Sequence, residues 1–192
     1  MGQRLVITIK RNNADIAALH FHWSAYSVEA LYELKKLVNY LEKEEKDFDP
    51  VLACLRYVQE NGGGINGGPL EAEYKAIQER YPDEPLVTEG YSKSNGLIAI
   101  TKEGIKNLQS WSQRDIIIHL DDFENLQENE VENFVFFNPF FDDDNNLRIY
   151  NPKIDVTSFK IGEIDEVINE VKKVEEGYDA IDYGDTYLSL IM

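Results

Sequence analysis

Arg4-Leu5-Val6-Ile7-Thr8-Ile9-Lys10, then Arg11-Asn12-Asn13-Ala14-Asp15, then Ile16-Ala17-Ala18-Leu19-His20-Phe21-His22 is the stretch whose reading decides the fold. Its first run is dense in β-branched residues, which suit a pleated, half-buried surface. The Asn and Asp residues that follow supply turn chemistry, because their short side chains tolerate left-handed backbone and bond locally. Residues 4–10 and 16–22 are therefore expected to form an N-terminal β-hairpin with a turn over residues 11–15.

Beyond the hairpin the apolar period changes. Val28, Leu31, Leu34, Leu37, Val38 and Leu41 recur at helical spacing, with Ser27 as the expected N-cap. Asp49-Pro50 places a capping carboxylate before a proline at the first helical position, opening a second helix through Val58. The glycine-dense stretch 62–68 reads as a helix-to-helix connector, and a short helix runs from it to about Arg80. Residues 86–96 read as a loop. Strands are expected at 97–101, 115–120 and 134–137, a helical stretch up to Ser110, and a strand partner over 147–150. Ile161, Ile164, Val167, Ile168, Val171 and Val174 form an amphipathic helix ended by Gly177, and Thr186–Ile191 reads as a last strand. The fold class is α+β: an N-terminal β-hairpin followed by helices, then a mixed or antiparallel sheet with an amphipathic C-terminal helix. It is expected over residues 1–192 as a single domain, with two lobes at 1–90 and 97–192 as the alternative.

Composition bounds the function. The chain has 192 residues, 43% hydrophobic, and a formal charge of −17, so it carries enough apolar content to bury a core while strongly acidic. Residues 97–192 hold 8 Lys/Arg against 21 Asp/Glu, a balance of −13, whereas residues 1–96 hold 11 against 15. Such a balance argues against direct nucleic-acid binding, which needs Lys and Arg on the phosphates. The natural complement is a basic protein. A single cysteine, Cys54, excludes an internal disulfide and fits a reducing compartment. No signal-peptide pattern and no apolar run of membrane-spanning length is present, so a cytoplasmic protein without a membrane partner is expected.

The densest cluster of unusual residues is His20-Phe21-His22-Trp23-Ser24-Ala25-Tyr26. Strand alternation places His20 and His22 on one face, and hairpin pairing brings Arg4 close to His22. Arg4, His20, His22, Trp23 and Tyr26 can then converge at one sheet edge, able to hold a phosphate or a base. The same residues can equally plug the end of a core, with their polar tips bonded to backbone. Both readings stand at this point. Met1-Gly2-x-Arg4, a short hairpin and His22-Trp23-x-x-Tyr26 entering a helix resemble a group of uncharacterised bacteriophage and prophage proteins. Many of those carry His-Trp-Asp-Gly-Tyr where Ser24-Ala25 stands here. The resemblance covers roughly the first 30 residues and implies a context rather than an activity: a mobile-element protein acting in a bacterial cytoplasm.

Other chemistry is thinner. His20 and His22 could ligate a metal with His119 and Asp121 only if the two strand ends meet. Asp142, Asp144 and Asn146 mimic the start of a calcium loop, but Leu147 replaces its glycine and Lys153 its final glutamate. The glycine stretch lacks a P-loop ending, and Cys54 lies on an apolar helix face. Neither a metal nor a cofactor is expected, and no signature names a catalytic reaction. The acidic clusters are interleaved with aromatics such as Phe140, Phe141 and Tyr150. They suggest an alternative to plain solvated surface: Asp121, Asp122, Glu124, Asp142, Asp143 and Asp144 as contacts for a basic partner. Two functions follow as expectations. The first is a phage-encoded acidic inhibitor of a basic host protein, such as a nuclease or CRISPR effector, of the anti-CRISPR or anti-restriction type, with nucleic-acid mimicry as one way for it to act. The second is a protein that binds or degrades a nucleotide signal through the Arg4/His20/His22/Trp23/Tyr26 cluster.

Overall fold

The computed structural model describes residues 4–25, 27–41, 49–68, 71–120, 134–137 and 158–173, with Ser27 and 134–137 described by backbone alone. The chain runs β1 (Leu5–Arg11), β2 (Ala14–Phe21), α1 (Ser27–Leu41), α2 (Pro50–Glu60), β3 (Gly64–Ile65) and α3 (Ala72–Arg80). It continues with β4 (Leu97–Ala99), α4 (Lys102–Gln109), β5 (Arg114–Leu120), β6 (Phe134–Phe137), β7 (Ser158–Lys160) and α5 over residues 164–173. The strands form one seven-stranded sheet in the order β3-β4-β2-β1-β5-β6-β7. β1 pairs with β5, and β3 with β4, in parallel, while the other neighbours are antiparallel. This is the expected α+β class, with the hairpin at the centre of a mixed sheet and a C-terminal helix packed on it. Strands from the two halves of the sequence alternate, since β4 and β5 flank the β2-β1 hairpin.

The hairpin turn is tighter than its composition suggests. Arg11 pairs with Ala14, leaving only Asn12 and Asn13 in the turn, at φ 51° and 62°. Two successive left-handed residues give the turn whose twist matches that of paired strands, and Asn tolerates that region better than most residues. A shift between Ile9 and Lys10 skips Ile16 and lets the longer second strand stay in register.

Alternation then sorts the central strands. Leu5, Ile7, Ile9, Leu19, Phe21, Ile116 and Ile118 face one side, where buried residues of α1, α2 and α5 cover them. Val6, Ala18 and Ala99 face the other, under Ile105 and Leu108 of α4. Asp49 caps α2 as expected: its carboxylate accepts from the backbone N–H of Val51 (2.9 Å) and of Leu52 (3.4 Å), with Pro50 opening the helix. Burial opposes its ionisation, yet the Tyr81 hydroxyl, Arg80 and those two N–H groups hold its pKa below the usual value. Cys54 is wholly buried, and burial, then the Asp49 charge, pushes its thiol pKa far up, so it serves as a small apolar residue.

Several expectations are corrected. Ser27 is the first helical residue of α1 rather than its cap. The glycine stretch is no free connector: Gly64–Ile65 pair with Leu97 and Ile98 as an edge strand. Only glycine fits there, because a Cβ on Gly64 would lie 2.4 Å from the Tyr91 ring. The strand expected over 97–101 ends at Ala99, since Thr101 turns to cap α4, its Oγ1 accepting from the Gly104 N–H at 3.0 Å. β7 was not expected; three residues with one buried phenylalanine leave no readable alternation. Asp121, Asp122, Glu124, the Asp142–Asp144 turn, the 147–150 strand, Gly177 and Thr186–Ile191 lie outside the described residues. Among the described residues, no helix is long and apolar enough to cross a membrane.

Candidate functional site

His20 stands one residue from the end of β2, paired with Val6 on one side and Leu97 on the other. Its side chain falls on the α4 face, beyond the last apolar turn of that helix. There the chain leaves α4 through Ser110-Trp111-Ser112 and returns into β5. The Trp111 N–H donates to Leu108 O at 3.0 Å, which folds the indole back over the sheet. Trp111 meets His20 edge-on, ring centroids 5.7 Å apart. The return is tied to the start of β1: the N–H groups of Gln113 and Arg114 both donate to Arg4 O, at 2.9 and 3.1 Å. The Arg4 N–H in turn donates to Gln113 Oε1 at 3.0 Å.

Four of the residues expected to converge do so. Leu5 pairs with Phe21, which places Arg4 beside His22 at the frayed end of the hairpin. His20 and His22 lie 6.2 Å apart between ring centroids, and His22 meets Trp23 edge-on at 4.8 Å. Phe21 takes the opposite face and packs against Tyr57 in the core. Tyr26 lies outside the described residues.

The polarity of this cluster is unusual. His20 is only 3% exposed, yet neither ring nitrogen makes a well-formed hydrogen bond among the described residues. Arg4 Nε is likewise enclosed without a partner there. An unsatisfied buried polar group costs about 1–3 kcal/mol. Burial first, then the nearby charges of His22 and Arg4, lowers the His20 pKa from 6.5 to about 4; a poorly aligned contact with its own main chain pulls weakly the other way. The imidazole is therefore neutral near pH 7 and offers one N–H donor and one lone pair. Around it, Arg4 supplies fixed positive charge, and Trp23 (59% exposed) and Trp111 (37% exposed) supply ring surface. Such a group can hold an anion beside a stacked ring.

On the other side of Trp111 a cleft of about 560 Å³ opens between β3, β4 and α4. Asn66 and Asn107 meet along it, the Asn66 amide nitrogen donating to Asn107 Oδ1 at 3.3 Å. Glu73 also lines the cleft, but its carboxylate is already engaged. It accepts from the N–H groups of Ile100 and Thr101 and from Thr101 Oγ1 at 2.6 Å, fixing the start of α4. Glu73 is thus a structural brace rather than an acid or base.

Sequence reasoning missed Trp111, Gln113 and the Asn66–Asn107 pair. The one signal was a tryptophan between two serines in a turn, a position where a large ring has no helical or strand neighbours to pack against. The histidines of the expected metal set do not meet, and Asp121 lies outside the described residues. Val6 pairs with His20 and Lys10 with His119, so the two histidines sit four residues apart along β1, roughly 13 Å. No group of three metal-ligating side chains occurs among the described residues. Comparison with protein-family models, with curated proteins and with solved structures finds no match to this chain, so the site stands on its own geometry.

Proposed function

We propose that this chain is a binding protein for a small anionic ligand that carries an aromatic ring, of the nucleotide class, held at the Arg4/His20/His22/Trp23 end of the hairpin. One observation carries the reading: a buried, neutral His20 whose two ring nitrogens have no hydrogen-bond partner among the described residues, beside Arg4, His22 and the Trp111 indole. In this arrangement Arg4 pairs with the anion, Trp23 stacks on the ring, and His20 and His22 supply directional hydrogen bonds. Displacement of Trp111 would give the ligand access to His20. Among the described residues no hydroxyl or thiol is hydrogen-bonded to His20, which favours binding over turnover. A thermal-shift screen of nucleotides, including cyclic and linear signalling dinucleotides, tests this. The expected result is a rise in melting temperature that grows with ligand concentration and is lost in Arg4→Ala. No shift with any nucleotide at millimolar concentration sinks the reading, and consumption of the bound ligand would make the protein an enzyme.

A second reading is favoured by the charge alone. The balance of −13 in residues 97–192, with a phage-like N-terminal pattern, supports an acidic inhibitor of a basic host protein in a bacterial cytoplasm. A nuclease or a CRISPR effector has the required basic groove, which rows of carboxylates can occupy. Pull-down from host lysate at low and high salt, followed by nuclease assays, tests it. Retention that vanishes with salt together with inhibited cleavage is expected. Unaffected nucleases at low salt would end this reading.

A further inference from the structure

We propose that the cleft between β3, β4 and α4 is a separate binding site for an uncharged nucleoside, and that it discriminates against the corresponding nucleotide. The proposal does not rest on the Arg4 cluster. Its basis is the cleft's volume of about 560 Å³, within the range of small-molecule sites, and the chemistry of its walls.

The bond between Asn66 and Asn107 uses one donor of the first amide and one acceptor site of the second. The remaining Asn66 amide oxygen and Asn107 amide nitrogen make no hydrogen bond to the described residues. Asn66 Oδ1 and Asn107 Nδ2 are thus left as one acceptor and one donor on residues that line the cleft, able to meet a donor and an acceptor of a nucleobase. Asn66 is itself held, because its backbone N–H donates to Ile98 O at 2.9 Å and its side chain is buried. Ring surfaces stand nearby. Trp111 forms one wall, and Tyr91 another, its ring seated on the bare Cα of Gly64.

Charge decides between nucleoside and nucleotide. Glu71 and Glu103 line the cleft with Lys93 as the one basic residue among them, and the braced carboxylate of Glu73 adds to the same sign. Carboxylates accept well from ribose hydroxyls but repel a phosphate. The cleft thus differs from the Arg4 end of the sheet, where the fixed charge is positive.

Isothermal titration of the full chain and of its Arg4→Ala variant with adenosine, guanosine, cytidine and uridine, with their 5′-monophosphates and with ribose, tests the proposal. At least one nucleoside is expected to bind the Arg4→Ala chain one-to-one, at least tenfold more tightly than its monophosphate. Asn107→Leu, at an exposed helix position where the fold can be checked by circular dichroism, should weaken that nucleoside at least tenfold. Glu103→Gln should narrow the gap between nucleoside and monophosphate. Three results overturn the proposal: no nucleoside binds at millimolar concentration, the monophosphate binds the Arg4→Ala chain as well as the nucleoside does, or ribose alone binds as tightly as the nucleoside. Nucleoside binding that survives Asn107→Leu but is lost in Arg4→Ala places the ligand at the other end of Trp111 and overturns it too.

Discussion

The two faces of the central sheet are built from the same strands, yet they do different work. On the α1/α2/α5 face every inward residue of β1 and β2 named in the core is apolar and buried against helices. The α4 face holds a much smaller apolar cluster of Val6, Ala18, Ala99, Ile105 and Leu108, and mixes polar residues into it. Thr8 and His20 are both 3% exposed there. Thr8 Oγ1 accepts from Gln109 Nε2 at 3.2 Å, and the same amide donates to Asp15 Oδ2 at 3.0 Å. Among the described residues His20 has no comparable partner. One face therefore carries stability, whereas the other gives up some stability where His20, Arg4 and the two indoles gather. Unsatisfied buried polar groups are rare in native proteins, which sets His20 and Arg4 apart from most of the described residues.

The largest expected effect tests the division itself. Leu34 is fully buried on α1, and Leu34→Ala should destabilise the protein by about 2–5 kcal/mol through lost transfer energy and a residual cavity. Leu108→Ala, under the thinner α4 layer, should fall at the low end, about 2 kcal/mol, because a short helix at the surface can settle into the space. Urea denaturation of both variants measures the difference. Equal losses would mean that the two faces contribute alike, and the division would fail.

A smaller effect isolates His20. Its pKa is about 4 in the folded protein and 6.5 as the ordinary value, so between those pH values the unfolded chain binds the extra proton. Stability should then be full above pH 6.5, fall as the pH drops toward 4, and level off below it. The loss should be about 1–3 kcal/mol, discounted because the ring lies near the end of its strand. His20→Leu should remove this slope while leaving stability near pH 7 unchanged or higher, since it exchanges an unsatisfied imidazole for an apolar side chain. The urea midpoint followed from pH 4 to 8 in both proteins reads the result directly. An identical slope in His20→Leu would show that His20 has ordinary protonation, and the case for a strained site would weaken with it.

Much of this asymmetry was legible in the residues, and the rest was hidden for physical reasons. Alternation alone separated Phe21 from His20 and His22, and turn chemistry plus pairing placed Arg4 beside His22. The Asp49-Pro50 cap was readable because the carboxylate and the proline act within one helical turn. Trp111 was not readable, because what gives it a role is a contact with His20 across 91 positions of sequence. The Asn66–Asn107 pair was hidden in the same way: one amide ends a two-residue edge strand and the other sits on an exposed helix face. The glycine stretch looked like a connector because its requirement comes from Tyr91 and Gly96, which approach from a later loop. Local rules read local devices; the site is made of distant ones.

The smallest structural effect carries the sharpest functional contrast. Trp23 is 59% exposed and touches His22 edge-on, so its ring contributes little to the buried core. Surface substitutions without caps, cavities or buried polar groups usually stay within about 0.5 kcal/mol, and Trp23→Ala should do the same in urea. Base–aromatic stacking, by contrast, is worth about 1–3 kcal/mol per ring. If the strand end holds a ring-bearing ligand, Trp23→Ala should weaken its binding by roughly 5- to 150-fold in titration calorimetry while the fold is untouched. Leu34→Ala should show the reverse, a large loss of stability with near-normal affinity in the fraction that remains folded. A Trp23→Ala protein that is badly destabilised, or that binds every ligand as before, would place this indole among the structural residues. The α4 face would then be a second, poorer core rather than a site.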